Sequence, residues 1–154
     1  MKILVLNGPN LNLLGRREPE IYGRMTLDDL NRSIGRYAAE QLDPLRADDG
    51  IELVFFQTNH EGQLIDILQN APRLYAGVIY NPGGHTHYSI ALRDAIAAIE
   101  IPVVEVHLSD IDKREDFRKI SVMTDVCIAQ FKGEGELSYH KAVAHLVEYL
   151  DARV

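Results

Sequence analysis

The stretch "AGVIYNPGGHTHYSIALRDAIAAIEIPVVEVH", Ala76 to His107, decides the fold. It opens on one short apolar run, AGVIYN (76–81), and closes on another, PVVEVH (102–107). Both runs are rich in β-branched residues and continuous rather than alternating, as expected of strands covered on both faces. Between them YSIALRDAIAAI (88–99) carries a helical pattern and stops before Pro102. A strand, a helix and a second strand make a parallel crossover.

The same alternation continues in both directions. KILVLN (2–7), IELVFFQ (51–57) and TDVCIAQF (124–131) read as strands. TLDDLNRSIGRYAAEQL (26–42), NHEGQLIDILQNA (59–71) and YHKAVAHLVEYLDA (139–152) read as helices, the first opened by Thr26 with an acid three residues on at Asp29. The expectation is an α/β protein with a doubly wound, five-stranded parallel sheet, forming a single domain over residues 1–154.

Bulk properties narrow the function. The chain has 154 residues, 46% apolar and 25% charged, and a formal charge of −7, which suits one globular domain and disfavours nucleic acid or an anionic membrane as partner. Its one cysteine, Cys127, rules out an intrachain disulfide or a thiolate zinc site and reads as a buried strand residue. The amino terminus has no signal-peptide core, and no run approaches the ~20 apolar residues of a membrane span. A cytoplasmic protein is expected.

In a doubly wound sheet, ligands bind beyond the carboxyl ends of the strands. After the first strand comes "NGPNLNLLGRREPEIYG". Residues 8–25 form the longest segment without periodicity, a length that is usually either functional or disordered. Asn7-Gly8-Pro9 is a turn, and the amides of Asn10 and Asn12 can orient a ligand or a water. A phenol ionises near pH 10, but a guanidinium within ~4–6 Å favours the phenolate by ~1–3 pH units. Arg16 and Arg17 lie close enough in sequence to Tyr22 to permit such a pairing.

After the third strand, "NPGGHTHYS" brings Asn81, two glycines and the pair His85 and His87. Two histidines without a third ligand nearby make a poor metal site, and His87 reads better as a hydrogen-bond donor to a polar substrate. After the fourth strand, His107 suits general-acid work. Glu105, two residues earlier, points to the same side and can hold its ring. Ser109 and the neighbouring backbone can bind a carboxylate. Arg114 and Arg118 are four apart, so a short helix would show both charges on one face. A base, an acid, amides and arginines at three strand ends suit proton abstraction and leaving-group protonation on a small anionic substrate.

Four blocks, "LNGPNLNLLGRREPEIYG", "FFQTNHEGQLID", "NPGGHTHYSIALRDA" and "IPVVEVHLSDIDKREDFR", resemble the type II 3-dehydroquinate dehydratases over roughly residues 3 to 118. The resemblance implies a flavodoxin-like fold and anti elimination of water from 3-dehydroquinate through an enolate, with neither metal nor organic cofactor. It implies Tyr22 as the base, Arg17 as the lid arginine beside it, and Asn10 holding a water against the enolate oxygen. His107 becomes the acid that protonates the departing hydroxyl, and Glu105 its orienting partner. Asn81, Leu108 and Ser109 fall around the substrate carboxylate and C1 hydroxyl, while His87 and Arg118 fall on ring hydroxyls. Asp94 corresponds to a residue reaching in from a neighbouring subunit, in a homo-oligomer built of trimers into a dodecamer. Arg16 stays a solvated charge. The resemblance weakens after Arg118, where Lys119-Ile120-Ser121-Val122 and "FKGEGELSY" depart from it. The resemblance implies a reaction that serves aromatic biosynthesis or quinate breakdown.

Two binding modules share the expected architecture. A flavin carrier wants a Ser/Thr-rich phosphate loop where this chain has "NGPNLNLLG". A phosphoacceptor domain wants acids where it has Asn7 and Asn81.

Overall fold

The computed structural model describes residues 1–46 and 50–153. Five strands form one sheet: β1 (Lys2–Asn7), β2 (Glu52–Gln57), β3 (Gly77–Asn81), β4 (Val103–His107) and β5 (Ala129–Lys132). Every pairing is parallel, in the order β2-β1-β3-β4-β5. The chain leaves β1 first to one side and then to the other, so the direction of winding reverses between β1 and β3. There a cleft opens beyond the strand ends.

Helices cover both faces. On one, Leu30 and Ile34 of α2 (Leu27–Tyr37) join Tyr139, Val143 and Leu146 of α5 (Glu136–Asp151) over Ile3, Val5, Ile79 and Val106. On the other, Leu64 and Leu68 of α3 (Glu61–Asn70) and Leu92 and Ile96 of α4 (Ile90–Ala98) pack on Leu4, Leu6, Val78 and Tyr80. Alternate residues of each central strand feed opposite cores, which is why these strands read as unbroken apolar runs. Among the described residues no helix is long and apolar enough to cross a membrane.

The Thr26–Asp29 capping box is formed in both directions, each bond 3.1 Å. Other boundaries moved. The edge strand β2 is only partly buried, with Phe56 41% exposed, because an edge lacks the second neighbour that continuous apolarity implied. The fifth strand starts at Ala129 rather than Thr124. Thr124–Val126 instead forms a 3-10 turn, its Thr124 hydroxyl drawn to Glu105 at 2.7 Å. Cys127 therefore precedes the strand and is half-buried, though burial, with the Glu105 charge nearby, pushes its thiol up to about 12. The last helix begins three residues early, at Glu136.

The long loop after β1 also holds more order than its sequence suggested. Leu11–Leu13 makes a 3-10 turn, and Pro19–Tyr22 a single α-helical turn, α1, with proline at its first position. Glu18 enters α1 in the left-handed region, φ 39°, a conformation that costs an L-residue about 1–2 kcal/mol.

Candidate active site

The loops after β1 and β3 meet closely. The Gly8 N–H donates to the Asn81 carbonyl at 2.8 Å, and a Cβ at Gly8 would lie 2.7 Å from the Pro82 carbonyl oxygen. Glycine is thus required where these two strand ends join. Beyond this junction lies a cavity of about 180 Å³. Asn10, Arg17 and Tyr22 line it from the first loop, Asn81 and His87 from the third strand end, and His107, Leu108, Ser109 and Arg118 from the fourth.

Not every expected residue is there. Glu105 lies behind His107, 1% exposed. Asp94 is exposed on α4 and is not among the residues lining the cavity of this chain. Arg16, expected only as a solvated charge, is exposed and lies outside the cavity. Asn12 turns away, accepting from Gln57 Nε2 at 3.4 Å. Asn10 holds a left-handed backbone, φ 68°, at the start of its 3-10 turn, and its side chain makes no capping bond. Asparagine tolerates that region better than most residues, and its amide is left to face the cavity.

Tyr22 sits between two guanidiniums, each 5.5 Å from its ring centroid: Arg17 on the same loop and Arg114 from beyond β4. Arg114 Nη1 also donates to the phenol oxygen at 2.5 Å. Its side chain is 11% exposed against 33% for Arg17, so water screens its charge less. Sequence proximity had pointed to Arg17; the cation on the oxygen is Arg114, 92 residues away. The expected shared helix face of Arg114 and Arg118 is absent. Ile111–Lys113 and Asp116–Arg118 are separate 3-10 turns, with Arg114 between them in extended backbone. Both arginines still reach the cavity, and Glu115 pairs with each, 3.7 Å from Arg114 Nε and 3.0 Å from Arg118 Nε.

His87 corrects a second expectation. Its Nδ1 lies 2.8 Å from the Ile120 carbonyl oxygen, which can only accept, so Nδ1 carries the proton. Burial lowers its pKa more than that bond raises it. In the neutral ring Nε2 is then an acceptor for a hydroxyl, not the expected donor.

His107 Nε2 lies 2.7 Å from Glu105 Oε1. Burial opposes ionisation of Glu105, but the bonds from His107, Ser121 and Thr124 outweigh it and bring the carboxyl down to about 2. The carboxylate accepts, Nε2 donates, and Nδ1 is the nitrogen left for the cavity. The other donors to Glu105 were not found in the sequence: Thr86 Oγ1 at 3.2 Å, Ser121 Oγ at 2.6 Å, Thr124 Oγ1 at 2.7 Å and Gln130 Nε2 at 3.1 Å. The one signal was Gln130, a polar residue within an apolar run. Under the cavity floor, Asn81 Nδ2 donates to Tyr139 Oη at 2.8 Å, which donates to Asn7 Oδ1 at 2.7 Å. The Gly83 N–H fixes the other end of the Asn81 amide at 3.0 Å.

A phenol bonded to a guanidinium, an imidazole backed by a carboxylate and three arginines make a site for acid–base chemistry on an anion. The family profile described as Dehydroquinase class II matches residues 1–147. A 3-dehydroquinate dehydratase of Carboxydothermus hydrogenoformans is 49% identical over 153 residues, 99% of this chain and 94% of that relative. One from Bacillus pumilus is 54% identical over 144 residues, 94% of this chain and 92% of the other. Among solved structures, the type II dehydroquinase of Butyrivibrio crossotus superposes with a TM-score of 0.87 at 44% identity, covering 96% of this chain and 97% of that one. The chain belongs to the class II dehydroquinases.

Proposed function

We propose that this enzyme removes water from 3-dehydroquinate to give 3-dehydroshikimate, with Tyr22 as base and His107 as acid. The observation that carries this reading is that both side chains line one cavity while each has its own electrostatic partner, Arg114 on the phenol oxygen and Glu105 on the imidazole.

Tyr22, as phenolate, takes the C2 proton beside the C3 ketone. The electron pair moves into a C2–C3 double bond and charge collects on the C3 oxygen, where a water held by Asn10 stabilises it. The enolate collapses, the C1–oxygen bond breaks, and the Nδ1 proton of His107 leaves with the hydroxyl as water. The neutral imidazole keeps its Nε2–H on Glu105. A positioned acid and base contribute about 10²–10⁴-fold each. Arg17 closes over the substrate with the loop that bears Tyr22. Asn81, Leu108 and Ser109 hold the carboxylate and C1 hydroxyl, and Arg118 a ring hydroxyl. His87 Nε2 accepts from another ring hydroxyl. Asp94 acts on the site of a neighbouring subunit in an assembly of trimers.

Purified protein mixed with 3-dehydroquinate, without added metal, should develop the ultraviolet absorbance of the conjugated enone carboxylate. Folded protein that yields no product overturns the assignment.

A further inference from the structure

The proposed acid rests on Glu105, and Glu105 rests on residues outside the cavity. A carboxylate offers about four lone-pair sites, and five donors converge on this one. Oε1 receives Thr86, His107 and Ser121; Oε2 receives Thr124 and Gln130. The two oxygens thus have different donors, with Ser121 and Thr124 of the connection between β4 and β5 holding one each. Oε2, the one His107 does not touch, helps to set the rotation of the carboxylate plane and so the direction in which Oε1 meets the imidazole.

Gln130 stands out in this set. The parallel register of β4 and β5 makes it the direct cross-strand partner of Glu105. Its Nε2 lies 3.1 Å from Glu105 Oε2 and 2.9 Å from Thr124 Oγ1. Both amide hydrogens are thereby committed. Because Thr124 accepts from Gln130, its single hydroxyl hydrogen is free to donate to Oε2. With the Glu105 carboxylate the two residues form a closed triangle with one permitted orientation. The same turn that displaced the start of β5 supplies Thr124, so the shortened strand and this triangle are one feature.

We propose that Gln130, with Thr124, is a positioning residue for the dehydration, acting through Glu105 to fix the ring of His107. This inference rests on the reading of His107 as the acid. Gln130 touches no residue of the cavity directly through its hydrogen bonds. Its removal should leave substrate binding alone and misalign proton delivery.

The test uses the full-length enzyme and Gln130→Leu, which has similar volume and no donor. kcat should fall about tenfold, the loss expected of one hydrogen bond to a charged group, with KM within twofold. The NMR resonance of the His107 Nε2 proton, bonded to Glu105, should shift or broaden. Thr124→Val should behave likewise and Thr124→Ser should restore both readouts, which keeps the test intact if Gln130→Leu does not fold. A kcat within twofold overturns the proposal. So does a fall in kcat with an unmoved His107 resonance, which would mark Gln130 as structural alone. If the wild-type enzyme fails to dehydrate 3-dehydroquinate, the reading of the site falls, and the resonance still decides whether Gln130 orients the imidazole through Glu105.

Discussion

The proposed base and acid face one cavity but are built in opposite ways. Tyr22 stands on a one-turn helix in a long loop, entered through a left-handed residue and flanked by partly exposed arginines. His107 ends a strand that is buried along its length, and its partner Glu105 is 1% exposed. No residue of the one-turn helix is buried, while every residue of the strand is. A group that must close over a ligand belongs on few contacts; a group that must deliver a proton along one line belongs on many. Changes on the loop side should therefore cost turnover alone, and changes on the strand side should cost turnover and stability together.

The strongest way to break this contrast is to remove each group. Tyr22→Phe should lower kcat by about 10²–10⁴-fold with an unchanged melting temperature. His107→Asn should match the kinetic loss and also melt earlier, since it takes from the buried Glu105 carboxylate the hydrogen bond and the charge that do most to hold it ionised. Steady-state kinetics beside thermal unfolding would measure both. Equal melting temperatures for the two variants would erase the distinction.

Acid sharpens it next. The carboxyl of Glu105 is held at about 2 against an ordinary 4.5. The unfolded chain thus takes up a proton before the folded one does. The stability contributed is complete above about pH 4.5 and is lost as pH falls through about 2. Two and a half pH units correspond to roughly 3 kcal/mol. Urea unfolding across that window should show the decline, and Glu105→Gln should flatten it. A parallel curve for the variant would place the acid sensitivity elsewhere.

Within the loop side, the two arginines can be separated. Arg114→Met should lower kcat about 10–100-fold, as fits loss of a charged hydrogen bond of about 1.5–3 kcal/mol. Arg17→Met, which removes a more exposed charge over the ring, should cost less in kcat and more in KM. The reverse order would restore Arg17 as the principal partner of the phenol. The smallest effect expected lies outside both sides, at the helix that follows the loop: Thr26→Ala breaks the capping box of α2 and should cost about 1 kcal/mol, lowering the melting temperature by about 2–4 °C. Turnover should stay within twofold.

Much of this was legible in order along the chain. The β-branched runs and the helical patterns between them gave an all-parallel sheet, because side chains alternating into two cores leave an unbroken apolar signature. Glu105 and His107 were paired correctly because residues two apart on a strand share a face. Tyr22, Asn81 and Arg118 were expected near the cleft because ligand sites in this architecture follow strand ends, and all three line the cavity. The boundaries of β5 were not legible. Thr124 looks like a strand former until Glu105 captures its hydroxyl, and a tertiary bond then overrides propensity.

The sequence by itself determined the sheet, the strand ends and the set of residue types gathered there, since these follow from local periodicity and short spacings. Beyond the Glu105–His107 pair, tertiary structure alone decided which of those residues touch. Arg114 reaches Tyr22 across 92 positions and Gln130 meets Glu105 across 25. The Ile120 carbonyl sets the tautomer of His87 across 33. Such contacts depend on strand order and register, which bring distant segments to hydrogen-bond range and leave no trace in the spacing of either one.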